Sequence, residues 1–248
     1  MRVRLAGFDV RYPQIIQTVL RGVRAVAEMN PFRIRAILFD FDGVLVDSEP
    51  IRFKAGAQAL AGIGVPLAWE RFSLSWLGRT DEAALQDILG ERFEAEGRGV
   101  IDRRNALYEE WLNEVPGAPD ALRLVQRIPE GIRLAVVTGS RRFEVETILW
   151  RLAMSERFQT LVTAEDYVQA KPAPDPFLIA ARRLEVQPIS CLVIEDSPAG
   201  VAAALAAGMP VVAMDRRPGQ SQLDQATWKV SSLDALTVTE VGEVMVQE

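Results

Sequence analysis

Four short apolar runs stand out along the chain, and each ends in polar or turn-forming residues. They are Ala36-Ile37-Leu38-Phe39, Leu134-Ala135-Val136-Val137, Cys191-Leu192-Val193-Ile194 and Val211-Val212-Ala213-Met214. Runs of four without alternation predict strands buried on both faces, as in a parallel sheet. Leu161-Val162 and Trp228-Lys229-Val230 are weaker candidates of the same kind. Helical periodicity between the runs predicts helices over 120–127, 143–152, 176–184 and 199–207. Strand and helix in alternation predict an α/β fold with a doubly wound parallel sheet. Such sheets bind ligands at the carboxyl ends of their strands, near the point where the strand order reverses.

The pattern changes between Ser48 and Pro116. Strand runs are absent there, and four helices are predicted over 50–61, 69–76, 81–93 and 102–114. Gly62, Gly64, Pro66, Gly97 and Gly99 punctuate the gaps, and Pro116-Gly117-Ala118-Pro119 reads as the return linker. The expected organisation is an N-terminal extension over 1–32, a core domain over 33–48 and 116–248, and a helical cap domain over 49–115. Within the extension, 15–29 reads as one amphipathic helix that stops before Pro31, and Met29 is a second candidate start.

Composition then narrows the chemistry. The chain has 248 residues, 49% hydrophobic and 25% charged, as ordinary globular proteins have. A net charge of −6 argues against a general affinity for nucleic acid or an anionic membrane. No apolar stretch approaches the roughly 20 residues of a bilayer span. Arginines at 2, 4, 11, 21 and 24 interrupt any signal-peptide pattern. The single cysteine, Cys191, excludes an intrachain disulfide and fits a reducing cytoplasm. Histidine is absent from the sequence. That removes Ser-His-Asp and Cys-His catalysis and every histidine zinc site. Acid–base work falls to carboxylates, Lys, Tyr or Cys, and hard, oxygen-liganded metals become the natural cofactors.

Three of the apolar runs lead into residues able to do chemistry: Asp40-Phe41-Asp42-Gly43, Thr138-Gly139-Ser140 and Glu195-Asp196-Ser197. Lys171-Pro172 lies in a proline-rich loop between the last two. Singly, each has an ordinary reading as a cap, a turn or a loop. Together, at strand ends that converge on one crevice, they suit phosphoryl transfer. Asp40 and Asp196 would hold Mg²⁺, which takes few protein ligands and retains waters and phosphate oxygens. Lys171 and the Thr138 hydroxyl would bind phosphoryl oxygens. In an extended stretch Asp42 would share a side with Asp40, so that one attacks while the other handles protons.

The segment Asp40-Phe41-Asp42-Gly43-Val44-Leu45-Val46-Asp47-Ser48-Glu49 resembles the first motif of the haloacid dehalogenase superfamily. Thr138 in Val137-Thr138-Gly139-Ser140 resembles the second motif and Lys171 in Lys171-Pro172-Ala173-Pro174-Asp175 the third. Ile194-Glu195-Asp196-Ser197-Pro198-Ala199-Gly200 resembles the fourth. The helical insert is similar to the cap of the branch that holds phosphoglycolate phosphatase and β-phosphoglucomutase. The resemblance implies that Asp40 forms an aspartyl-phosphate, while Asp42 protonates the leaving group and then activates water. It implies phosphate binding by Thr138, the Gly139 amide and Lys171. It implies Mg²⁺ ligation by Asp40, the Asp42 carbonyl and Asp196, with Glu195 as a further or water-mediated contact. Dehalogenases proper lack the second aspartate, so Asp42 favours phosphoryl chemistry.

Among cap residues, Arg52 stands where similar mutases carry a histidine, which weakens a mutase reading. Arg79 either meets a second anionic group of the substrate or is a solvated helix start. Glu49 either faces the site or stabilises the first cap helix beside Ser48. Trp69, Trp76, Tyr108 and Trp111 are expected as the cap's own core, and Cys191 as plain core. The expected function is a Mg²⁺-dependent phosphatase of a small phosphorylated metabolite. A phosphosugar mutase and a non-enzymatic sensor are the alternatives, and a sensor would have little use for Asp42.

Overall fold

The computed structural model describes residues 3–5, 8–10, 33–76, 79–216 and 223–246. The helix expected over 15–29 lies outside the described residues, as does most of the extension. Within the extension, β1 (Val3–Leu5) and β2 (Phe8–Val10) pair antiparallel.

The central sheet is built on β3 (Ala36–Phe39). To one side lie β4 (Arg133–Val137) and β5 (Thr160–Val162). To the other lie β6 (Cys191–Glu195), β7 (Val211–Met214) and β8 (Trp228–Val230). The order is β5-β4-β3-β6-β7-β8, every pairing parallel. The chain therefore walks outward from β3, returns to its other flank at β6, and walks outward again. The strand order reverses beside β3, which is where ligands are expected. A short antiparallel hairpin of β9 (Leu236–Val238) and β10 (Val244–Val246) closes the chain, an element the apolar pattern did not signal.

Alternation along these strands serves two cores. Ile37 and Phe39 face one layer with Leu134, Val136, Leu192 and Ile194, while Ala36 and Leu38 face the other with Ala135, Val137 and Val193. β3, β6 and β7 are wholly buried, so both of their faces are largely apolar, which is why they read as unbroken runs. Each large side chain so buried contributes about 1.5–3 kcal/mol.

Between β3 and β4 the chain forms α1 (Glu49–Ala61), α2 (Trp69–Ser75), α3 (Asp81–Leu89) and α4 (Arg98–Glu110). Thr80 caps α3 by accepting from the Ala83 amide at 3.2 Å. The helix predicted over 81–93 ends earlier than the periodicity suggested. Gly90 adopts φ +56°, and a 3₁₀ turn (Gly90–Arg92) and a π turn (Phe93–Gly97) lead into α4. Phe72, Trp76 and Tyr108 are buried, as a small cap core requires, whereas Trp69 remains 39% exposed. The remaining helices flank the sheet: α5 (Pro119–Arg127), α6 (Arg142–Arg151), α7 (Asp175–Arg183) and α8 (Pro198–Ala206). None of the described helices is long and apolar enough to cross a membrane.

Candidate active site

Strand register sets the floor of the site. Phe39 pairs with Val136 on β4 and with Ile194 on β6. One residue further along, Asp40, Val137 and Glu195 stand side by side at the carboxyl edge. Lys171, joined to Pro172 by a cis bond, arrives from the loop before α7 and bridges this edge. Its ammonium donates to Asp40 Oδ1 and to Glu195 Oε1, both at 2.6 Å, and to the Val137 carbonyl at 2.9 Å. Glu195 is fully buried, and its second oxygen accepts from the Asp196 and Ser197 amides at 3.0 Å and the Ser197 hydroxyl at 2.9 Å. Ser197 in turn caps α8 through the Gly200 amide at 3.0 Å. A Cβ at Gly200 would collide with the Glu195 carboxylate, so glycine is a packing requirement there.

Ligand oxygens of Asp40, Glu195 and Asp196 lie within 4.8 Å of one another. Burial and the neighbouring Glu195 charge push Asp40 up to about 7, against the lowering effect of Lys171. Asp196 is also raised, first by burial and then by the Asp40 and Glu195 charges. Lys171 is raised because its two carboxylate partners outweigh the cost of its burial. This corner has more carboxylates than cations, and its donors are hard oxygens, a set that suits a hard divalent cation. Gly43, at φ +80°, lets the first loop close onto Asp196, whose carboxylate a Cβ would strike.

Asp42 does not share the environment of Asp40. Its carboxylate accepts from the Ser140 hydroxyl at 2.6 Å, from the Ser48 hydroxyl, and from the Arg52 guanidinium at 3.2 and 3.3 Å. Burial alone would raise it, but the Arg52 charge and these hydroxyls win and leave it lowered. Ser48, at the start of α1, thus spends its hydroxyl on Asp42, not on the helix end. Arg52 also donates to Ser140 at 2.9 Å, lies 3.8 Å from Glu144, and stacks on the Tyr108 ring at 4.5 Å. The insert and the core therefore meet at Asp42.

The second motif forms a tight turn. The Thr138 amide donates to Val162 and the Ser140 amide to Thr138 Oγ1 at 3.0 Å. Gly139 lies between them against Tyr167, whose hydroxyl donates to the Thr138 carbonyl at 3.0 Å. Glu49 lines a cleft of about 510 Å³ with Gly43, Asp47, Trp69, Asp196 and Arg216, and its charge acts on Asp196. Arg79 contacts the Asp87 carboxylate and the Ala83 carbonyl, both within the insert. Glu144 and Tyr167 enter the site as partners without a sequence signal of their own, because each acts through a contact across the fold, while Ser48 and Ser140, read as parts of the first and second motifs, meet at Asp42.

Comparison with known proteins identifies the family of the chain. Residues 37–214 match the family described as haloacid dehalogenase-like hydrolase. The chain is 31% identical to hexitol phosphatase A of Escherichia coli strain K12 over 218 residues, which is 87% of this chain and all of that one. It is 32% identical to the phosphorylated carbohydrates phosphatase of Thermotoga maritima over 182 residues, 71% of this chain and 82% of that one. Among solved structures it is similar to β-phosphoglucomutase from Clostridium difficile, with a TM-score of 0.70 and 25% identity, covering 82% of this chain and 93% of that one.

Proposed function

The chain belongs to the haloacid dehalogenase-like hydrolases, and from that premise we propose that it is a Mg²⁺-dependent phosphatase of a small phosphate monoester, a sugar phosphate or a related metabolite. The observation that carries the reading is Lys171 held between Asp40 and Glu195, next to Asp196, at the carboxyl edge of adjacent parallel strands. Few other chemistries call for a carboxylate nucleophile with an ammonium and a hard-cation site at its side.

In this reading a phosphate monoester enters with its phosphorus above Asp40. The Asp40 carboxylate attacks in line, the bond to the leaving oxygen breaks, and an aspartyl-phosphate forms. Lys171, the Thr138 hydroxyl and the Gly139 N–H bind the non-reacting oxygens and offset their charge as it shifts. Asp42 gives a proton to the leaving oxygen, then takes one from the water that opens the aspartyl-phosphate. Asp40, Asp196 and the Asp42 carbonyl would hold Mg²⁺, with Glu195 as an outer contact. The ion would supply charge neutralisation between a carboxylate and an anionic phosphate. The cleft of about 510 Å³ beside Asp196 and Glu49 is of a size for a small metabolite. The named activities of hexitol phosphatase A and the phosphorylated carbohydrates phosphatase support this substrate class.

The test is a phosphatase screen over a panel of phosphorylated metabolites, with Mg²⁺ and with chelator, on the wild type and Asp40→Asn. Turnover that needs Mg²⁺ and vanishes in the variant is expected. Full activity in the variant would overturn the aspartyl-phosphate. The competing mutase reading has its own test: β-glucose 1-phosphate with a bisphosphate primer should release phosphate, not glucose 6-phosphate. Arg52, engaged with Asp42 and Ser140 where similar mutases carry a histidine, favours the phosphatase.

A further inference from the structure

Tyr167 lies at the end of a short segment that walls the second-motif turn. The segment starts with Thr163, whose hydroxyl and amide bond Asp166 in a capping box. Asp166 is gripped by Arg142 and by Arg183, each at 2.6 Å. The segment is joined to the turn at three further points. The Ala164 amide donates to the Ser140 carbonyl at 3.1 Å, the Arg142 amide donates to the Glu165 carboxylate at 3.1 Å, and the Tyr167 hydroxyl donates to the Thr138 carbonyl at 3.0 Å. Only the last of these acts on the peptide between Thr138 and Gly139.

That peptide matters because of its geometry. A trans peptide is planar, and its C=O and N–H point in opposite directions. Whatever fixes the Thr138 carbonyl therefore fixes the Gly139 N–H on the opposite side. The neighbouring amides are already committed, Thr138 to the Val162 carbonyl and Ser140 to Thr138 Oγ1. Among the described residues, the Gly139 N–H has no acceptor in the protein. It is a free donor, one residue beyond Val137, whose carbonyl takes the Lys171 ammonium. The Tyr167 hydroxyl lies 3.8 Å from the point where a Cβ on Gly139 would sit, so ring and turn are in contact.

We propose that Tyr167 is a positioning residue for phosphate. Its hydroxyl holds the Thr138 carbonyl and thereby aims the Gly139 N–H at a phosphoryl oxygen. The inference rests on the phosphatase reading for its ligand, inorganic phosphate or a phosphate monoester. A preorganised backbone donor stabilises a developing anion without reorganising at the moment of reaction. Without the hydroxyl, the peptide is free to rock and the donor loses its aim.

The test is Tyr167→Phe, which keeps the ring and removes only the oxygen. kcat/KM is expected to fall by about 10-fold, with the inhibition constant of inorganic phosphate rising by a similar factor. The Mg²⁺ concentration for half-activity and the thermal midpoint should stay at their wild-type values. In ¹⁵N-labelled protein with Mg²⁺, inorganic phosphate should move the Gly139 amide proton downfield, and by less than half as much in the variant. A wild-type inhibition constant and a wild-type Gly139 shift would overturn the proposal. So would a uniform loss of activity with a lowered midpoint, which would mark the hydroxyl as merely stabilising. If the wild type hydrolyses nothing in the metabolite screen, the phosphatase reading fails by itself. The Gly139 titration with inorganic phosphate then still decides the role of Tyr167.

Discussion

Asp40 and Asp42 are two residues apart, carry the same side chain, and end in opposite states. Asp40 is built in by the core alone: β3, β4, β6 and the Lys171 loop. Its burial, with Glu195 and Asp42 nearby, pushes it up to about 7 against the pull of Lys171. Asp42 is held between core and insert by Ser48, Ser140 and Arg52, and it is lowered. The difference teaches that neighbours, and not residue type, set how readily each carboxylate holds a proton. One corner sets three carboxylates against the single ammonium of Lys171 and suits a further cation. The other already has its cation in Arg52.

The comparison can be broken from either side. The largest effect is expected for Lys171→Met. It removes the only described side-chain cation in contact with Asp40 and Glu195, and should cut kcat/KM by at least about 1,000-fold. A loss under tenfold would show that the Asp40 corner does not need its lysine. Next is Gly200→Ala, because the added Cβ meets the Glu195 carboxylate and must displace it from Lys171. About 100-fold in activity and about 1–3 kcal/mol in stability are expected, read by steady-state kinetics and urea unfolding.

Arg52→Gln sharpens the comparison on the other side. With Asp42 loosened, a poor leaving group that needs a proton should suffer by about 10–100-fold. A good leaving group such as p-nitrophenolate should lose less than about threefold. Equal losses on both would mean that Arg52 does not act through Asp42. The smallest effect is expected for Asp166→Asn, in the wall behind the second-motif turn. Asp166 is pushed down to about 2, because the Arg183 and Thr163 hydrogen bonds and the Arg142 charge outweigh burial. A carboxylate depressed in the folded state contributes its stability in full above its ordinary value of 3.8 and loses it as pH falls toward 2. The variant should therefore be less stable by about 1–2 kcal/mol at neutral pH. Its gap from wild type should close between about pH 4 and pH 2 in acid-unfolding curves.

Much of the core was legible because its strands are buried on both faces. Ala36–Phe39 and Val211–Met214 were read to the residue, and Cys191 was read correctly as buried core. The core helix ends shifted by at most one residue, as at Asp175–Arg183, whereas the helix expected over 102–114 begins and ends four residues earlier, at Arg98–Glu110. The helix over 81–93 was overextended because Gly90 at positive φ interrupts a pattern that apolar spacing alone continues. The closing hairpin of β9 and β10 gave no signal, since its strands are three residues each. The pairing of Asp42 with Arg52 and Ser140 was not legible. The chain turns at Phe41 instead of running on extended, and Asp42 there reaches both Ser140 of the core and Arg52 of the insert.

By itself the sequence determined the layer architecture, the absence of histidine chemistry, and the residues at the strand ends. Those follow from local periodicity and residue type, which need no partner. Only the tertiary structure decided which carboxylate met Lys171, which met Arg52, and that Tyr167 reached the Thr138 carbonyl. Those contacts join residues 10 to 131 positions apart. Their energies depend on burial and on the charges brought alongside, and only the folded chain supplies both.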